Sequence, residues 1–201
     1  MPTRDFYKLL TSLVVPRPIA WVSSTSASGV HNLAPHSFFT VASTDPPIVM
    51  FISVGAKDTL RNIEATRDFV VNFSPRALFE EINATGTDFA PEVSEFDRAG
   101  LTREASLTVS TPRVAESPSA LECRLHQIIP MGNSTLIFGE VLHAAVKKEV
   151  IEHTHPRIDL LDPLSRLGLD EWGELGPIRQ IQRIRSADWP RDFQAKTDTT
   201  P

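Results

Sequence analysis

The segment PIVMFISVGAKDTLRNIEATRDFVVNF (residues 47–73) places two apolar runs on either side of a polar stretch. The first run, residues 48–52, is continuous and of strand length, which predicts a strand buried on both faces. The second run, residues 69–73, has the aromatic and β-branched composition typical of strands. Between the runs, apolar residues three positions apart predict a helix with Asp58 as its N-cap. The segment therefore predicts a strand, a short helix and a second strand.

Outside this segment, the 16 prolines and several clusters of turn residues separate further short apolar runs. The additional strand candidates are residues 19–23, 30–34, 38–42, 121–129, 135–146 and 157–161. Turns are predicted at residues 26–29 and 131–134, and Gly139 predicts a bend inside a long strand. Residues 78–82 indicate a short helix and residues 89–100 an acidic loop. This pattern favours a mainly β, mostly antiparallel fold with short helices, and the strand spacing suits a barrel.

Composition and charge restrict the class of protein. The chain has 25 acidic and 20 basic residues and a net charge of −5, which argues against a nucleic-acid-binding surface. Its one cysteine, Cys123, excludes an intramolecular disulfide, and we expect the thiol to be packed rather than reactive. Apolar runs fall short of the ~20 residues that cross a bilayer. We expect a cytoplasmic protein with one domain over residues 1–188 and a polar tail over residues 189–201.

The stretch Gly55-Ala56-Lys57-Asp58-Thr59 stands between the first strand and the helix. A helix N-terminus presents unpaired backbone N–H groups and partial positive charge, and a lysine and a threonine hydroxyl add further donors. These groups can hold a phosphate. The same residues also fit an ordinary capped helix with a solvated lysine, so both interpretations stay open. The spacing does not match a P-loop.

Residues 32–37 form a second unusual stretch, Asn32-Leu33-Ala34-Pro35-His36-Ser37. Pro35 forces an extended backbone on the residue before it and removes one donor. The remaining backbone groups, with the side chains of Asn32 and Ser37, can bind the edge of a heterocycle. An irregular connection made of turn residues is the alternative.

Two later groups of residues admit more than one role. His153 and His155 lie on one face if their segment is a strand, which raises the hypothesis of a metal-dependent β-barrel enzyme against that of a solvated loop. Arg166 and Trp172 either cover an aromatic ligand near the barrel mouth or pack across a subunit interface. The solvated loop is the favoured interpretation of the two histidines, whereas both roles of Arg166 and Trp172 stay open.

Taken in order, a series of short motifs resembles the flavin-reductase-like family of FMN-binding split-barrel proteins. The motifs occupy residues 7–10, 17–23, 32–39, 45–47, 57–63, 69–72, 132–135, 138–141 and 162–168. Each motif is weak alone, but their order and spacing are fairly specific. The resemblance spans roughly residues 6–180.

The resemblance implies an antiparallel, Greek-key-like FMN-binding split β-barrel that forms a homodimer with flavin near the interface. It implies a ring-binding segment made of Asn32, Leu33, Ala34, Pro35, His36 and Ser37. It further implies a phosphate site made of Ser53, Lys57, Asp58 and Thr59, with Trp21, Arg166 and Trp172 completing the cofactor-binding set. We assign no catalytic side chain and no metal, because the cofactor itself carries the hydride chemistry.

Two departures from the family pattern bear on function. Several reductases of the family have Gly-Asp-His where this chain has Gly132-Asn133-Ser134, and that histidine is associated with nicotinamide handling. Trp172 stands where the family usually has tyrosine. The expected function is an FMN-dependent oxidoreductase, an NAD(P)H:flavin reductase passing electrons to a flavin, a partner oxygenase or a small acceptor. The alternative is a non-catalytic FMN-binding electron carrier.

Overall fold

The computed structural model describes residues 2–189 of the 201-residue chain. The helices are α1 (Thr3–Leu13), α2 (Asp58–Thr66), α3 (Phe79–Ala84), α4 (Glu95–Arg98) and α5 (Ile158–Leu161). The strands are β1 (Arg17–Pro18), β2 (Ala20–Thr25), β3 (His31–His36), β4 (Phe39–Thr44), β5 (Pro47–Val54), β6 (Asp68–Asn72), β7 (Arg103–Glu104), β8 (Arg113–Val114), β9 (Ser119–Met131), β10 (Ser134–Val146), β11 (Ile151–Glu152), β12 (His155–Pro156), β13 (Ser165–Arg166) and β14 (Trp172–Gly173).

Seven strands form the main sheet in the order β3-β2-β6-β9-β10-β5-β4, with every neighbouring pair antiparallel. Successive side chains of a strand point to opposite faces, and β2 shows this directly. Val22 packs with Phe51 and Phe69 in one buried cluster, whereas Trp21 packs with Phe96 in a second. The predicted mainly β, antiparallel class with short helices is confirmed.

The longest element is the hairpin of β9 and β10, whose turn contains Gly132 at a φ of +61°. The predicted bend in β10 corresponds to a register shift between Phe138 and Gly139. A Cβ at Gly139 would lie 2.3 Å from Cζ of Phe69, so only glycine allows β10 to pass this ring at its present distance. The shift therefore follows from close packing against β6.

The connection from β5 to α2 positions the site described below. Gly55 has a φ of +76°, which turns the chain sharply at the end of β5. The helix begins at Asp58, with Lys57 as its N-cap, so the predicted cap is wrong by one residue. The Lys57 side chain makes no capping bond, and Thr59 and Ile63 face inward. The backbone N–H groups in the first turn of α2 therefore receive no capping bond from the side chain of Lys57.

Two secondary-structure expectations are corrected by the structure. The predicted strand at residues 157–161 is wrong: the amide of Leu161 donates to the carbonyl of Arg157 at 3.0 Å, and the segment forms helix α5. The three apolar residues Ile158, Leu160 and Leu161 fit either a strand or a helical turn, so the periodicity of so short a segment carries no signal. Helix α1 was not predicted, although Phe6, Leu9 and Leu13 share one helical face.

A buried arginine ties the first helix to the last part of the sheet region. The guanidinium of Arg17, 7% exposed, donates to the carbonyl of Thr11 and, at 2.7 Å, to the carbonyl of Leu167. It also lies 5.9 Å from the centre of the Phe38 ring. Arg17 therefore joins α1 to the residues following β13. None of the helices in residues 2–189 has the length and apolarity needed to cross a bilayer. From residue 190 on, the predicted tail lies outside the described residues.

Candidate functional site

A cavity opens where the end of β3, the end of β5 and the start of α2 meet. The recess has a volume of about 840 Å³, which includes space open to solvent. Residues 34–38 form one wall, residues 57–59 form one end, and the loop of residues 85–89 forms another wall. Tyr7 of α1 reaches the same cavity. Elements distant in sequence thus converge on a single recess.

Eight of the thirteen residues in the predicted cofactor-binding set line this cavity. They are Asn32, Ala34, Pro35, His36, Ser37, Lys57, Asp58 and Thr59. The structure therefore brings the proposed ring-binding and phosphate-binding segments to one place. Which ligand they bind stays a prediction at this point.

Three further residues of that set lie behind the cavity wall. Trp21 is fully buried, and its indole N–H donates to the hydroxyl of Thr85 at 2.9 Å, which supports the wall from behind. Leu33 points into the second buried cluster. Ser53 is also fully buried, with its hydroxyl 3.4 Å from the carbonyl of Gly55. These side chains support the lining residues rather than face the cavity.

Arg166 and Trp172 lie in the small sheet of β1, β13 and β14, away from the cavity lining. The guanidinium carbon of Arg166 is 4.8 Å from the centre of the Trp172 ring, and this ring meets Phe79 edge-on at 5.1 Å. The two residues form a partly buried stacked pair. Neither residue lines this cavity in the single chain that the structure describes.

The end of the cavity at α2 combines donors with acidic groups. The first amides of a helix have no acceptor within the helix, so those of Asp58 and Thr59 are available to an anion. The ammonium of Lys57 is bound by the carboxylate of Asp88 from the loop of residues 85–89, and Arg61 binds the carboxylate of Asp58. Each of these acids is therefore offset by a basic partner. An anion can bind here if it competes with Asp88 for Lys57.

A hydrogen-bonded chain runs along the floor of the cavity. The hydroxyl of Thr59 donates to Oδ1 of Asn32 at 3.0 Å, and Nε2 of His36 lies 3.3 Å from the same hydroxyl. The hydroxyl of Ser24 also donates to Oδ1 of Asn32, at 3.3 Å. These hydrogen bonds link helix α2 to strand β3.

The imidazole of His36 packs against Phe51, with ring centres 4.8 Å apart. Burial, opposed by a bond to the backbone of Ile52 and assisted by the charge of Lys57, lowers the pKa of His36 from 6.5 to about 4. His36 is therefore neutral at neutral pH. It adds polar atoms to the cavity without adding charge.

Several residues of this cavity were not predicted as site residues. The loop of residues 85–89 follows α3, and its small polar residues Thr85-Gly86-Thr87-Asp88 were the available signal. Glu95 was read as part of an acidic loop, yet it is 5% exposed and lines the cavity floor. Tyr7 was noted only as part of a motif. Their convergence depends on packing between distant elements, which local patterns do not show.

The histidines behind the metal hypothesis do not form a ligand set. His153 lies in a tight turn with a φ of +58°, and His155 begins the short strand β12. Within residues 2–189, no three His, Cys, Asp or Glu side chains come together in a way that could hold a metal ion. The metal-dependent alternative gains no support from this region.

Comparison with known proteins identifies the family to which the chain is similar. Residues 12–162 match the model of the flavin reductase like domain. Nitrilotriacetate monooxygenase component B from Bacillus cereus superimposes with a TM-score of 0.87 at 33% identity, covering 90% of this chain and 95% of that protein. The 2-nitrobenzoate 2-nitroreductase NbaA from Pseudomonas fluorescens superimposes at 0.86 with 31% identity, covering 98% and 96%.

The architecture is shared more widely than the sequence. A split-barrel protein from Shewanella frigidimarina superimposes with a TM-score of 0.84 at 20% identity, covering 91% of this chain and 94% of that protein. At that identity the likeness concerns the fold alone. The fold, the motif series and the match over residues 12–162 agree, so this chain belongs to the flavin reductase like domain family of split-barrel flavoproteins, a family of flavin-related oxidoreductases.

Proposed function

We propose that this chain is an FMN-dependent oxidoreductase that binds FMN in the cavity between β3, the start of α2 and the loop of residues 85–89. The observation that carries the proposal is the convergence of residues 32–37 and 57–59 on one recess. A flavin mononucleotide has a planar polar ring and a terminal phosphate. The two segments adjoin each other through the bond from Thr59 to Asn32, and together they offer groups that match both parts of this ligand.

The end of the cavity at α2 fits a phosphate. It supplies the first amides of a nine-residue helix and the ammonium of Lys57. The side chain of Lys57 is half exposed, so it can turn from Asp88 to a ligand at little cost. Charge-assisted bonds from a lysine to phosphate are among the stronger polar contacts in proteins. The donor set therefore suits a phosphorylated ligand.

The wall made by residues 34–38 suits the ring. Ala34 and Pro35 keep this backbone extended, and the edge of β3 opposite β2 is free of a strand partner in the described sheet. Extended backbone groups can therefore bind the polar edge of a heterocycle. Tyr7 and Phe38 add aromatic surface to the same cavity. Such a site is selective for a planar molecule with a polar edge.

A bound flavin would supply the hydride chemistry. The residues of this chain would orient the ring, exclude water from its buried face and hold the phosphate. We propose NAD(P)H as the donor, binding transiently at the open side of the ring. A monooxygenase component and a nitroreductase are similar to this chain. Both support an acceptor that is a free flavin, a partner oxygenase or a small molecule.

A non-catalytic electron carrier is the second candidate, and Ser134 favours it. Its hydroxyl donates to Oδ1 of Asn133 at 3.1 Å in the β9–β10 turn, and the carbonyl of Asn133 accepts from the amide of Gly55 at 3.0 Å. This turn therefore adjoins the proposed phosphate site. A serine there supplies no imidazole for nicotinamide.

We also propose that the chain forms a homodimer. Helix α1 leaves a continuous apolar face exposed in the single chain, formed by Phe6, Tyr7, Leu9, Leu10 and Leu13. Exposed apolar surface of this extent is typical of a protein interface. Because Tyr7 also lines the cavity, a second copy packed on α1 would lie beside the proposed flavin site. The cytoplasmic location stays a prediction.

The test uses the full chain as purified and after incubation with FMN. We expect a flavin absorption spectrum, FMN bound in equimolar amount, and oxidation of NADH or NADPH with FMN present. Binding of FMN without turnover of either donor would favour the electron carrier. Failure to bind FMN or riboflavin would overturn the proposal.

A further inference from the structure

The carboxylate of Glu95 occupies an unusual place beneath the cavity. Glu95 begins the four-residue helix α4 and is 5% exposed. The next residue, Phe96, is fully buried in the second apolar cluster and fixes the backbone of α4 there. The Glu95 side chain lines the floor of the cavity beside Asn32. It is therefore held in the protein and cannot turn out to solvent.

The first partner of this carboxylate is the backbone of β3. Oε2 of Glu95 accepts from the amide of Leu33 at 3.0 Å. Strand β3 stands at the end of the seven-stranded sheet, so its outer backbone groups have no neighbouring strand in the described sheet. Glu95 supplies the acceptor that such a strand would have supplied. It therefore fixes the middle of the proposed ring-binding segment.

The second neighbour is the side chain of Asn32, which lines the cavity with Glu95 and stabilises the ionised carboxylate, lowering its pKa. An ionised carboxylate only accepts, so it must receive the Nδ2 hydrogens of Asn32. Oδ1 of Asn32 then turns the other way, where it accepts from the hydroxyl of Thr59 at 3.0 Å. One amide thus joins Glu95 to the first turn of α2.

We propose that Glu95 is a positioning residue for the flavin site: its carboxylate sets the orientation of the Asn32 amide and thereby holds the ring-binding strand and the phosphate-binding turn in fixed relation. The inference rests on the proposed flavin binding, since a flavin is the probe that detects the geometry. Glu95 acts through Asn32 and Thr59.

The charges and hydrogen bonds around Glu95 favour a positioning role over simple packing. Burial and the nearby charge of Asp58 raise the pKa of Glu95, whereas the bonds from Leu33 and Asn32 lower it. A carboxylate at this place also repels the phosphate of a ligand bound at α2. Simple packing would be served better by an apolar side chain. An acceptor for the Leu33 amide and for the Asn32 side chain is what the carboxylate provides.

Replacement by glutamine separates orientation from volume. In Glu95→Gln the new amide has one acceptor and one donor group in place of two acceptors. With one acceptor atom left, the Leu33 amide and the Asn32 side chain compete for it, and the Asn32 amide loses its fixed orientation. Riboflavin is the probe, because it lacks the phosphate and so reports on geometry rather than charge. We expect riboflavin affinity to fall about tenfold or more, the usual effect of losing a buried bond to a charged group.

A double-mutant cycle tests the route through Asn32. Thr59→Val removes the hydroxyl that bonds Asn32 while keeping the side-chain shape. If Glu95 acts through Asn32, the variants Glu95→Gln and Thr59→Val disrupt the same series of interactions. The double variant then binds riboflavin no more than about threefold worse than whichever single variant binds it more weakly. Glu92→Gln, an exposed glutamate in the same loop, is the matched control and should leave affinity unchanged.

Each outcome has a distinct meaning. Multiplicative losses in the double variant, or unchanged riboflavin affinity in Glu95→Gln, would overturn the positioning role while leaving the proposed function intact. Failure of the wild-type chain to bind any flavin would instead remove the proposed function. Thermal unfolding of every variant shows whether the fold is retained. If Glu95→Gln does not fold, the absorption band of bound riboflavin in Thr59→Val is compared with the wild-type band: a shift supports the coupling and an unshifted band contradicts it.

Discussion

The ammonium of Lys57 is joined to the carboxylate of Asp88 across the mouth of the candidate flavin cavity. The side chain of Lys57 is 50% exposed and that of Asp88 is 83% exposed, so the pair is solvated and weakly held. It connects the N-cap of α2 to the loop of residues 85–89. A ligand phosphate entering this end competes with Asp88 for the same cation.

Replacement of Lys57 by glutamate should weaken FMN binding at least about tenfold while changing riboflavin binding much less, because the proposed partner of the lysine is the phosphate that riboflavin lacks. The measurement is the Kd of each ligand by quenching of flavin fluorescence. Lys148→Glu, a charge reversal at an exposed lysine outside the cavity, is the control. Equal losses for both ligands would show that Lys57 does not bind the phosphate.

Replacement of Asp88 by asparagine should have the opposite sign. It frees Lys57 and removes one negative charge from the phosphate end, so we expect FMN affinity to rise about two- to fivefold, the scale of an exposed ion pair. The gain should shrink with added salt and should be missing for riboflavin. The exposed Asp170→Asn is the control. Weaker FMN binding in Asp88→Asn would mean that Asp88 helps to hold the ligand.

Acid should destabilise the protein through His36. Burial lowers the pKa of His36 from 6.5 to about 4. Below pH 6.5 the imidazole is therefore protonated in the unfolded chain, whereas in the folded chain it stays neutral until the pH approaches 4. The contribution of neutral His36 to the free energy of unfolding is complete above pH 6.5 and declines as the pH falls toward 4. About 2 kcal/mol of it is lost at pH 5. Denaturant midpoints measured from pH 7 to 4.5 should fall less steeply for His36→Gln than for the wild type. The exposed His126→Gln should follow the wild-type curve.

The close contact at Gly139 predicts a large effect of a single methyl group. A Cβ there would lie 2.3 Å from Cζ of Phe69 and 3.0 Å from Cβ of Cys123, so β10 or the ring must shift. We expect Gly139→Ala to lower the free energy of unfolding by about 1–3 kcal/mol, measured by urea denaturation. Gly176→Ala, where a Cβ meets nothing within 4 Å, should change it by less than about 0.5 kcal/mol.

The exposed face of α1 predicts the effect of one charge on assembly. Leu13 is 69% exposed in the single chain, and Leu13→Glu should convert a dimer to a monomer because a buried, unpaired carboxylate opposes association. Light scattering after gel filtration gives the mass. Leu107→Glu, at a residue 73% exposed on another surface, should leave it unchanged. A wild-type monomer at micromolar concentration would contradict the homodimer.

Much of the sheet was predictable, because its strands carry continuous apolar runs bounded by turn residues. Residues 48–52 lie within β5, the predicted strand at residues 69–73 matches β6 up to residue 72, and the turn at residues 131–134 joins β9 to β10. The prediction of secondary structure from the sequence was wrong where the apolar segment was short. Residues 157–161 offer too few positions to distinguish a period of two from one of 3.6, and the helix was read as a strand.

The site was only partly predictable, for a different reason. Residues 32–37 and 57–59 carry local chemistry that can be read from sequence. The loop of residues 85–89 and Glu95 enter the cavity because Trp21 and Phe96 pack their segments against β3. That placement depends on tertiary contacts between distant residues. Trp21, Leu33 and Ser53 belong to the same neighbourhood but support it from behind.

The bond from Arg17 to the carbonyl of Leu167 bridges 150 residues of chain. During synthesis the first helix leaves the ribosome long before this carbonyl exists. At the usual elongation rates of about 5–20 residues per second, the interval is on the order of ten seconds. For that time α1 lacks this anchor, and Arg17 has only the carbonyls at the end of α1 as backbone partners. A nascent chain stopped before Leu167 therefore lacks the contact that joins its first helix to the residues following β13.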